Sequence, residues 1–396
     1  MNYLEEARML QEKIIANRRH LHMYPELSGK ETATADFIAE KLRQLGIEVT
    51  TGVGAPMPGV VGVLRGGKPG KTAALRADMD ALGLMEQCDS PYRSKNDDVM
   101  HACGHDAHMA ILLGAAELLA AHRNELSGTV KFIFQPSEEF GGGAVPMIND
   151  GVLDNPEVDA IFGLHMDPSY QVGEVAVSYG ETLAAADRLV IKIKGKSAHG
   201  ATPHLGVDPV VVAAHAIIAM QTVISRERDP LDAAVLSFGI IQGGHQQNVI
   251  ADEVMLSGIL RTLNPVVREE MIKNIQLVLD GIAVAFKTTC ELTRNRSYDS
   301  LINDNRMVDF VKEAAGNLLG ENNVRQLPKP RLIVEDFAYY LQKKPGAFFF
   351  LGCGNTAKGI TQPLHSSHFE LDEEALVIGT AIQTALVTNF LRQGVE

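Results

Sequence analysis

Short apolar runs rich in β-branched and aromatic residues recur along the chain, with helical patterns between several of them. This alternation limits the fold more than any other feature of the sequence. The runs lie at residues 59–64, 72–77, 129–134, 159–164 and 346–352. Strands that alternate with helices favour a largely parallel sheet covered by helices. We therefore expect an α/β fold, with a three-layer αβα domain around a mostly parallel sheet.

One long segment departs from this order. Its pattern predicts, in turn, a strand, a helix, two strands, a helix and a strand, at residues 187–196, 206–225, 234–244, 253–263, 266–286 and 288–297. This is the β-α-β-β-α-β order of a ferredoxin-like α+β unit. We expect an inserted domain at 187–297, within a discontinuous first domain at 1–186 and 298–396, with hinge loops at the junctions.

Charge and hydropathy exclude several classes of partner. The 396 residues carry 36 Lys and Arg against 49 Asp and Glu, a net charge of -13. Nucleic-acid binding is disfavoured, because phosphate neutralisation needs clustered basic residues. The first residues carry charge where a signal peptide needs an apolar core, and no run approaches the roughly 18 apolar residues of a membrane span. We expect a cytoplasmic protein without a nucleic-acid or membrane partner.

The stretch MHACGHDAH, residues 100–108, is the first sign of chemistry. The chain's four cysteines form no C-x-x-C pair, so neither a disulfide framework nor a structural zinc site is indicated. Gly104 disfavours helix, and in an extended segment Cys103 and His105 point the same way and offer sulfur and nitrogen to one point. The alternative is a buried cysteine and a capping histidine at the start of a helix over 107–121. These residues alone do not decide between the two.

Glu138 and Glu139 favour the metal site. Adjacent carboxylates repel unless a cation or a proton resolves the conflict, and in a metal hydrolase one can bind metal while the other acts as a base. Ligands of open α/β sheets bind at the carboxyl ends of the strands. The candidate ligands at predicted strand ends or in loops facing that edge are Cys103, His105, Glu139, His165 and His365.

This mixture of ligands indicates the kind of metal site. Sulfur, nitrogen and oxygen donors together suit zinc, manganese, cobalt or nickel. Five ligands are more than one catalytic ion normally takes from protein, so we expect two divalent ions that share a ligand and a water.

Several ordered motifs resemble those of a known family. They are RADMDAL (76–82), MHACGHDAH (100–108), QPSEE (135–139), GLH (163–165), GKSAHGATPHLGVDP (195–209), GGHQQNVIADEV (243–254) and PLHSSHF (363–369). The chain resembles the metal-dependent amidohydrolases that include hippurate hydrolase, bacterial N-acyl-amino-acid deacylases and plant auxin-conjugate hydrolases. It is more distantly similar to aminoacylase and carboxypeptidase G2. The resemblance runs from about His20 to the last helix.

The resemblance implies roles for residues around the metals. Cys103 is implied as the bridging ligand of the two-metal site, and Glu138 as the general base. Asp80 falls where the family has an acidic residue that orients ligands from behind the metals.

The resemblance also implies roles for the inserted domain. His199 matches a histidine that stabilises the tetrahedral intermediate in the active site of the partner subunit. Asn248 and Arg261 match positions that can hold a substrate carboxylate. The expected protein is a homodimer, paired through the insertion, that cleaves small N-acyl amino acids to a carboxylic acid and a free amino acid.

The chain departs from the family pattern at three sites. Gly83, Ala251 and Ser367 stand where the family usually has proline. None of these removes a ligand, but Ser367 leaves His368 as an alternative to His365, which holds the family's position relative to the following phenylalanine.

Other histidines and acids near these motifs have less specific interpretations. We expect His101 and His108 to lie beside the site without binding metal, and His20 and His22 to be structural. Glu335 and Asp336 either line the pocket or add charge to a helix start.

Three alternative functions differ from this one in defined features. A metallo-dipeptidase or carboxypeptidase of the same fold differs in recognising a free α-amino group. A non-catalytic metal-binding protein has no need of Glu138 or a mobile lid. A zinc nucleoside deaminase needs a P-C-x-x-C motif, which the chain lacks.

Overall fold

A computed structural model describes residues 2–393. Its α-helices are α1 (Tyr3–Met9), α2 (Gln11–Met23), α3 (Thr32–Gln44), α4 (His105–Ala121), α5 (Ala144–Asn149), α6 (Pro209–Ser225), α7 (Pro265–Phe286), α8 (Asn305–Leu319), α9 (Ala338–Leu341) and α10 (Glu374–Arg392). Its strands are β1 (Glu48–Val53), β2 (Gly59–Arg65), β3 (Lys68–Asp78), β4 (Ser127–Gln135), β5 (Ala160–Gln171), β6 (Val175–Val177), β7 (Gly180–Leu183), β8 (Ala185–Lys194), β9 (Ala234–Gly243), β10 (Glu253–Thr262), β11 (Cys290–Arg296), β12 (Leu301–Asn303), β13 (Val324–Gln326) and β14 (Gly346–Gly354).

The first of two compact units contains a large mixed sheet. This unit comprises the described residues of Met1–Gly180, Ile302–Lys329 and Asp336–Glu396. The sheet has eight strands in the order β1-β2-β4-β3-β5-β14-β6-β13. Strands β4, β3, β5 and β14 run parallel through its centre, whereas β1 and β2 add antiparallel pairs at one edge. The predicted mostly parallel α/β sheet is confirmed.

Helices cover both faces of this sheet. The side chains of each strand alternate between the two faces, so neighbouring residues of one strand contact different helices. On β14, Phe349 and Leu351 belong to the core that α4 and α10 also fill. Phe348 points the other way, and its ring lies 5.2 Å from that of Phe337, which precedes α9. The result is the predicted three-layer αβα arrangement.

The helix α10 shows why hydropathy alone does not identify a membrane span. By length and composition it is apolar enough to cross a membrane, contrary to the expectation that no run in the chain would be. However, 89% of its most apolar window is buried inside the protein, where it packs in the same core as α4. It is a core helix of the first unit.

The second unit comprises Glu181–Leu301 and Pro330–Glu335. Its elements follow the order β8-α6-β9-β10-α7-β11, and its four strands form an antiparallel sheet in the order β11-β8-β10-β9. Leu256 and Leu260 of β10 pack with both helices, so α6 and α7 cover the same face of the sheet. This is the predicted ferredoxin-like insertion.

Candidate metal centre

A tight turn brings Cys103 and His105 together. The prediction that they lie in an extended segment is wrong, because His105 begins α4 and Gly104 before it is left-handed, with φ of 83°. The left-handed conformation favours glycine, and a Cβ there would also lie a tight 3.2 Å from Met166 side-chain atoms. The turn holds both side chains next to β5.

The five predicted ligands converge at one edge of the parallel sheet. The Cys103 Sγ atom lies 3.4 Å from His165 Nε2 and 3.3 Å from His365 Nε2. The Glu139 Oε1 atom lies 3.1 Å from His365 Nε2 and 4.0 Å from His105 Nε2. His165 lies within β5 rather than after it, because β5 continues to pair with β14 beyond that residue.

These donors form two groups, each with its ligand atoms within 4.8 Å of one another. One group contains Cys103, His105 and His165, and the other contains Cys103, Glu139 and His365. Cys103 is the member that both groups share.

His105 and His165 use Nδ1 in backbone hydrogen bonds, so Nε2 is the ring nitrogen that each offers to the site. His105 donates from Nδ1 to the carbonyl of Asp80 at 2.8 Å, and His165 donates from Nδ1 to the carbonyl of Met166 at 2.8 Å. Among the described residues, the buried Nε2 of His105 has no hydrogen-bond partner. Backbone carbonyls that fix the tautomer in this way are typical of metal-binding histidines.

The charges around the donors also fit a cation. Burial raises the pKa of the Cys103 thiol well above its usual range, and the charges of Glu139 and Glu138 add to the effect. Burial alone lowers the pKa of His105, but the negative charge of Asp78 and the nearby carboxylates outweigh it and raise that pKa to about 10. Excess negative charge beside sulfur, nitrogen and oxygen donors fits divalent metal ions.

The structure brings His365, rather than His368, to the donors. His365 has φ of 63°, an uncommon conformation for a residue with a side chain, and its N–H donates to the Ala102 carbonyl at 2.8 Å. That bond holds His365 beside Cys103. His368 is exposed, and its Nδ1 lies 3.2 Å from the Ser367 hydroxyl.

Asp80 holds the two adjacent glutamates from behind. Its carboxylate accepts the N–H of Glu138 at 3.0 Å and the N–H of Glu139 at 2.9 Å. Glu138 is buried, and its carboxylate groups with the donor atoms of His105 and Glu139. A carboxylate so close to the ligands is placed to act on a water bound there.

Sequence reasoning missed a buried polar network beneath the donors. His108 donates from Nδ1 to Asp78 at 2.6 Å and accepts the Met166 N–H at Nε2 at 2.9 Å, so both ring nitrogens are occupied. Burial lowers the pKa of His108 to about 4, which keeps the ring neutral. Arg76 donates to Asp78 at 2.5 Å and to Asp336 at 2.8 Å. Charged residues at alternate positions of an otherwise apolar strand are the signal that could have indicated it.

The other three histidines considered in the sequence, His20, His22 and His101, have different surroundings. His22 Nδ1 is 2.7 Å from a carboxylate oxygen of Asp106, which also accepts from Arg18 at 2.8 Å. His20 stacks on Phe37 with ring centroids 4.4 Å apart. Burial lowers the pKa of His101 to about 3. None of these three histidines belongs to a donor group formed by the described residues.

The predicted substrate residues lie in the second unit. His199 and Asn248 are neighbours, because Gly200 donates its N–H to the Asn248 carbonyl at 2.8 Å. Arg261 lies on β10 one residue from Leu260, which packs against the helices, so its side chain is on the opposite face of the sheet. Among the described residues, the buried Nη1 of Arg261 has no hydrogen-bond partner.

The protein has a mostly parallel αβα sheet with sulfur, nitrogen and oxygen donors at one edge. The glutamate Glu138 lies next to these donors. This combination of fold and site is typical of metal-dependent hydrolases. The sequence profile of Peptidase family M20/M25/M40 matches residues 74–389, and the chain belongs to this family. It is a metal-dependent hydrolase of amide bonds, and the predicted resemblance is confirmed.

The similarity to several relatives spans nearly the whole chain. Thermostable carboxypeptidase 1 of Saccharolobus solfataricus is 40% identical, over 97% of this chain and 97% of that protein. N-acetyl-L-cysteine deacetylase of Bacillus subtilis is 40% identical, over 93% of this chain and 86% of that protein. The crystal structure of the Bacillus subtilis YXEP protein, described as a dinuclear metal binding peptidase from M20 family, has a TM-score of 0.85 and 34% identity. It covers 97% of this chain and 99% of that one.

Proposed function

We propose that the protein is a binuclear amidohydrolase that cleaves N-acyl amino acids, such as N-acetyl or N-benzoyl derivatives, to a carboxylic acid and a free amino acid. The observation that carries this proposal is the position of Cys103 in both donor groups, with Glu138 beside them. The similarity to a deacetylase and to a dinuclear peptidase supports it.

Two divalent ions, of zinc, manganese, cobalt or nickel, are the proposed cofactors. Cys103, His105, His165, Glu139 and His365 would hold them, with Cys103 as the proposed shared ligand. Ions held in this way lower the pKa of a bound water towards about 7 and polarise an amide carbonyl.

Glu138 is the proposed general base. It takes the proton from water as the oxygen attacks the amide carbonyl, and it returns that proton to the departing amine. The hydrogen bonds from the backbone N–H groups of Glu138 and Glu139 to the Asp80 carboxylate fix the backbone of this segment during both proton transfers.

His199 is proposed to stabilise the oxyanion of the partner subunit's reaction, in a homodimer paired through the insertion at 187–297. Its Nδ1 accepts the N–H of Ala201 at 3.0 Å, which leaves the proton on Nε2. His199 is exposed, so this N–H is available as a donor to a developing negative charge.

Mixing two inactive chains tests the shared site. Glu138→Gln and His199→Ala subunits should each be nearly inactive, but a heterodimer contains one site with both residues intact. Equal mixing with full subunit exchange should restore about a quarter of the parent activity. If mass measurements confirm exchange and no activity returns, His199 acts within its own chain or has no catalytic role.

Arg261 is proposed to bind the substrate carboxylate, with Asn248 beside His199 as a second contact. Burial lowers the pKa of the Arg261 guanidinium. A guanidinium that is desolvated and unpaired at Nη1 suits an anionic ligand.

Arg261→Ala should raise KM roughly 10- to 100-fold, because a charge-assisted contact to the substrate is lost. The effect should disappear for substrates whose carboxylate is replaced by an amide. Arg188→Ala is the matched control, since Arg188 is an exposed arginine on the same face of the sheet and should keep the parent KM. An equal KM change with the amide substrates would assign Arg261 a structural role.

A substrate screen tests the proposed function as a whole. Initial rates would be compared for N-acetyl, N-benzoyl and longer N-acyl amino acids and for dipeptides, with enzyme reconstituted separately with zinc, manganese and cobalt. N-acyl amino acids should give the higher kcat/KM. Preference for dipeptides with a free α-amino group would instead support a peptidase, as the name of the Saccharolobus solfataricus relative suggests.

A further inference from the structure

The loop between α2 and α3 carries a glutamate that its own helix does not use. Glu31 is fully buried and stands at the start of α3, but its side chain makes no capping hydrogen bond there. Glu26 caps this helix instead, since its carboxylate accepts the N–H groups of Ala33 at 3.3 Å and Thr34 at 2.8 Å. The burial of Glu31 therefore has another reason.

The Glu31 carboxylate holds the peptide next to Glu138. Its Oε1 accepts the N–H of Ser137 at 2.8 Å. Ser137 has φ of 60°, a left-handed conformation that is costly for a residue with a side chain and persists only where its surroundings enforce it. With the two bonds to Asp80, three consecutive peptide N–H groups, at residues 137–139, are held by two buried carboxyl groups.

The same loop is fastened to Asp80. The Ser28 hydroxyl donates to the Asp80 carboxylate at 2.6 Å, and Ala81 donates its N–H to the Glu26 carbonyl at 2.8 Å. Glu31 and Asp80 therefore hold residues 137–139 from neighbouring parts of the structure that are hydrogen-bonded to each other.

We propose that Glu31 is a positioning residue for the general base and that it aims the Glu138 carboxylate by holding Ser137 in its left-handed conformation. This inference rests on the proposed role of Glu138. Without the acceptor, Ser137 relaxes towards negative φ, and the rotation of the next peptide turns the Glu138 side chain away from the reacting water.

Glutamine should replace Glu31 in this role. Burial raises the pKa of Glu31 to about 7, so the protonated form is accessible near neutral pH. Either form offers an oxygen that accepts the Ser137 N–H, as does the carbonyl of a glutamine side chain. Leucine fills a similar volume and offers no acceptor.

Glu31→Leu and Glu31→Gln separate the acceptor from the charge. The Leu variant should lose roughly 10- to 100-fold in kcat, since a small misplacement of a catalytic group costs this much, while KM and the metal content stay at the parent values. The Gln variant should recover most of the lost kcat. Elemental analysis, thermal unfolding and steady-state kinetics on the same samples give all of these readouts.

Glu26→Ala is the matched control from the same loop. It removes the cap of α3, so it should lower Tm and leave kcat unchanged. A Glu31→Leu variant with parent kcat would overturn the proposal. A Glu31→Leu variant that loses metal or fails to fold would also overturn it, because Glu31 would then support the fold rather than position the base. Parent activity in Glu138→Gln would instead contradict the role of the base, so the two failures are distinguishable.

Discussion

Glu138→Gln should bind both metal ions and lose nearly all turnover. Glutamine is close to glutamate in shape but cannot accept the proton of the attacking water. Removal of a general base typically costs on the order of 10²- to 10⁴-fold in rate. The backbone N–H bond from residue 138 to Asp80 does not depend on the side chain, so the local structure should persist.

The measurement is elemental analysis and kcat on one sample of the variant. Glu139→Gln is the matched comparison, because the neighbouring carboxylate belongs to a donor group and its loss should lower metal content together with activity. Near-normal turnover of Glu138→Gln with both metals bound would exclude Glu138 as the base. A different group would then have to accept the proton of the water.

The sequence predicts the architecture well because the fold repeats two simple periodicities. Each strand of the parallel sheet is an apolar run. The insertion has the β-α-β-β-α-β order of elements, and this order commonly forms a ferredoxin-like unit. Boundaries are less predictable. Strand β5 continues through His165 to Gln171 because pairing with β14 continues, and the local sequence does not show where the partner strand ends.

The candidate ligands could be found because cysteine, histidine and glutamate are uncommon at the ends of apolar strands. Their supports could not be found in this way. Asp78 meets His108 across 30 residues, and Arg76 meets Asp336 across 260, so each pairing depends on the tertiary fold. The role of Glu31 is harder still to find from the sequence, because a glutamate just before a helix most simply predicts a helix cap.

The backbone conformations at the site could not be predicted from the sequence either. Gly104 was correctly placed outside the helix, but its left-handed turn replaces the predicted extended segment. Ser137 and His365 have φ of 60° and 63° although neither is glycine. Such residues are held by tertiary hydrogen bonds, to Glu31 and to Ala102, that no local propensity encodes.

Cys103→Ala should lose metal as well as activity. Its sulfur lies 3.4 Å from His165 Nε2 and 3.3 Å from His365 Nε2, so it is the atom common to both donor groups. A thiolate between two divalent ions offsets their mutual repulsion, and alanine leaves the ions with less negative charge between them. Metal bound per subunit after dialysis should fall well below the parent value, and Cys103→Ser or Cys103→Asp should recover part of it.

Cys353→Ala supplies the control, because Cys353 is a fully buried thiol in β14 outside the donor groups. It should keep both metals and parent kcat while lowering the free energy of unfolding by about 1 kcal/mol. The raised pKa of the Cys103 thiol adds a second readout, since metal must displace its proton and binding should release protons into a weakly buffered solution. Parent metal content in Cys103→Ala, with no difference in proton release, would show that Cys103 is only a buried thiol and that a different group bridges the ions.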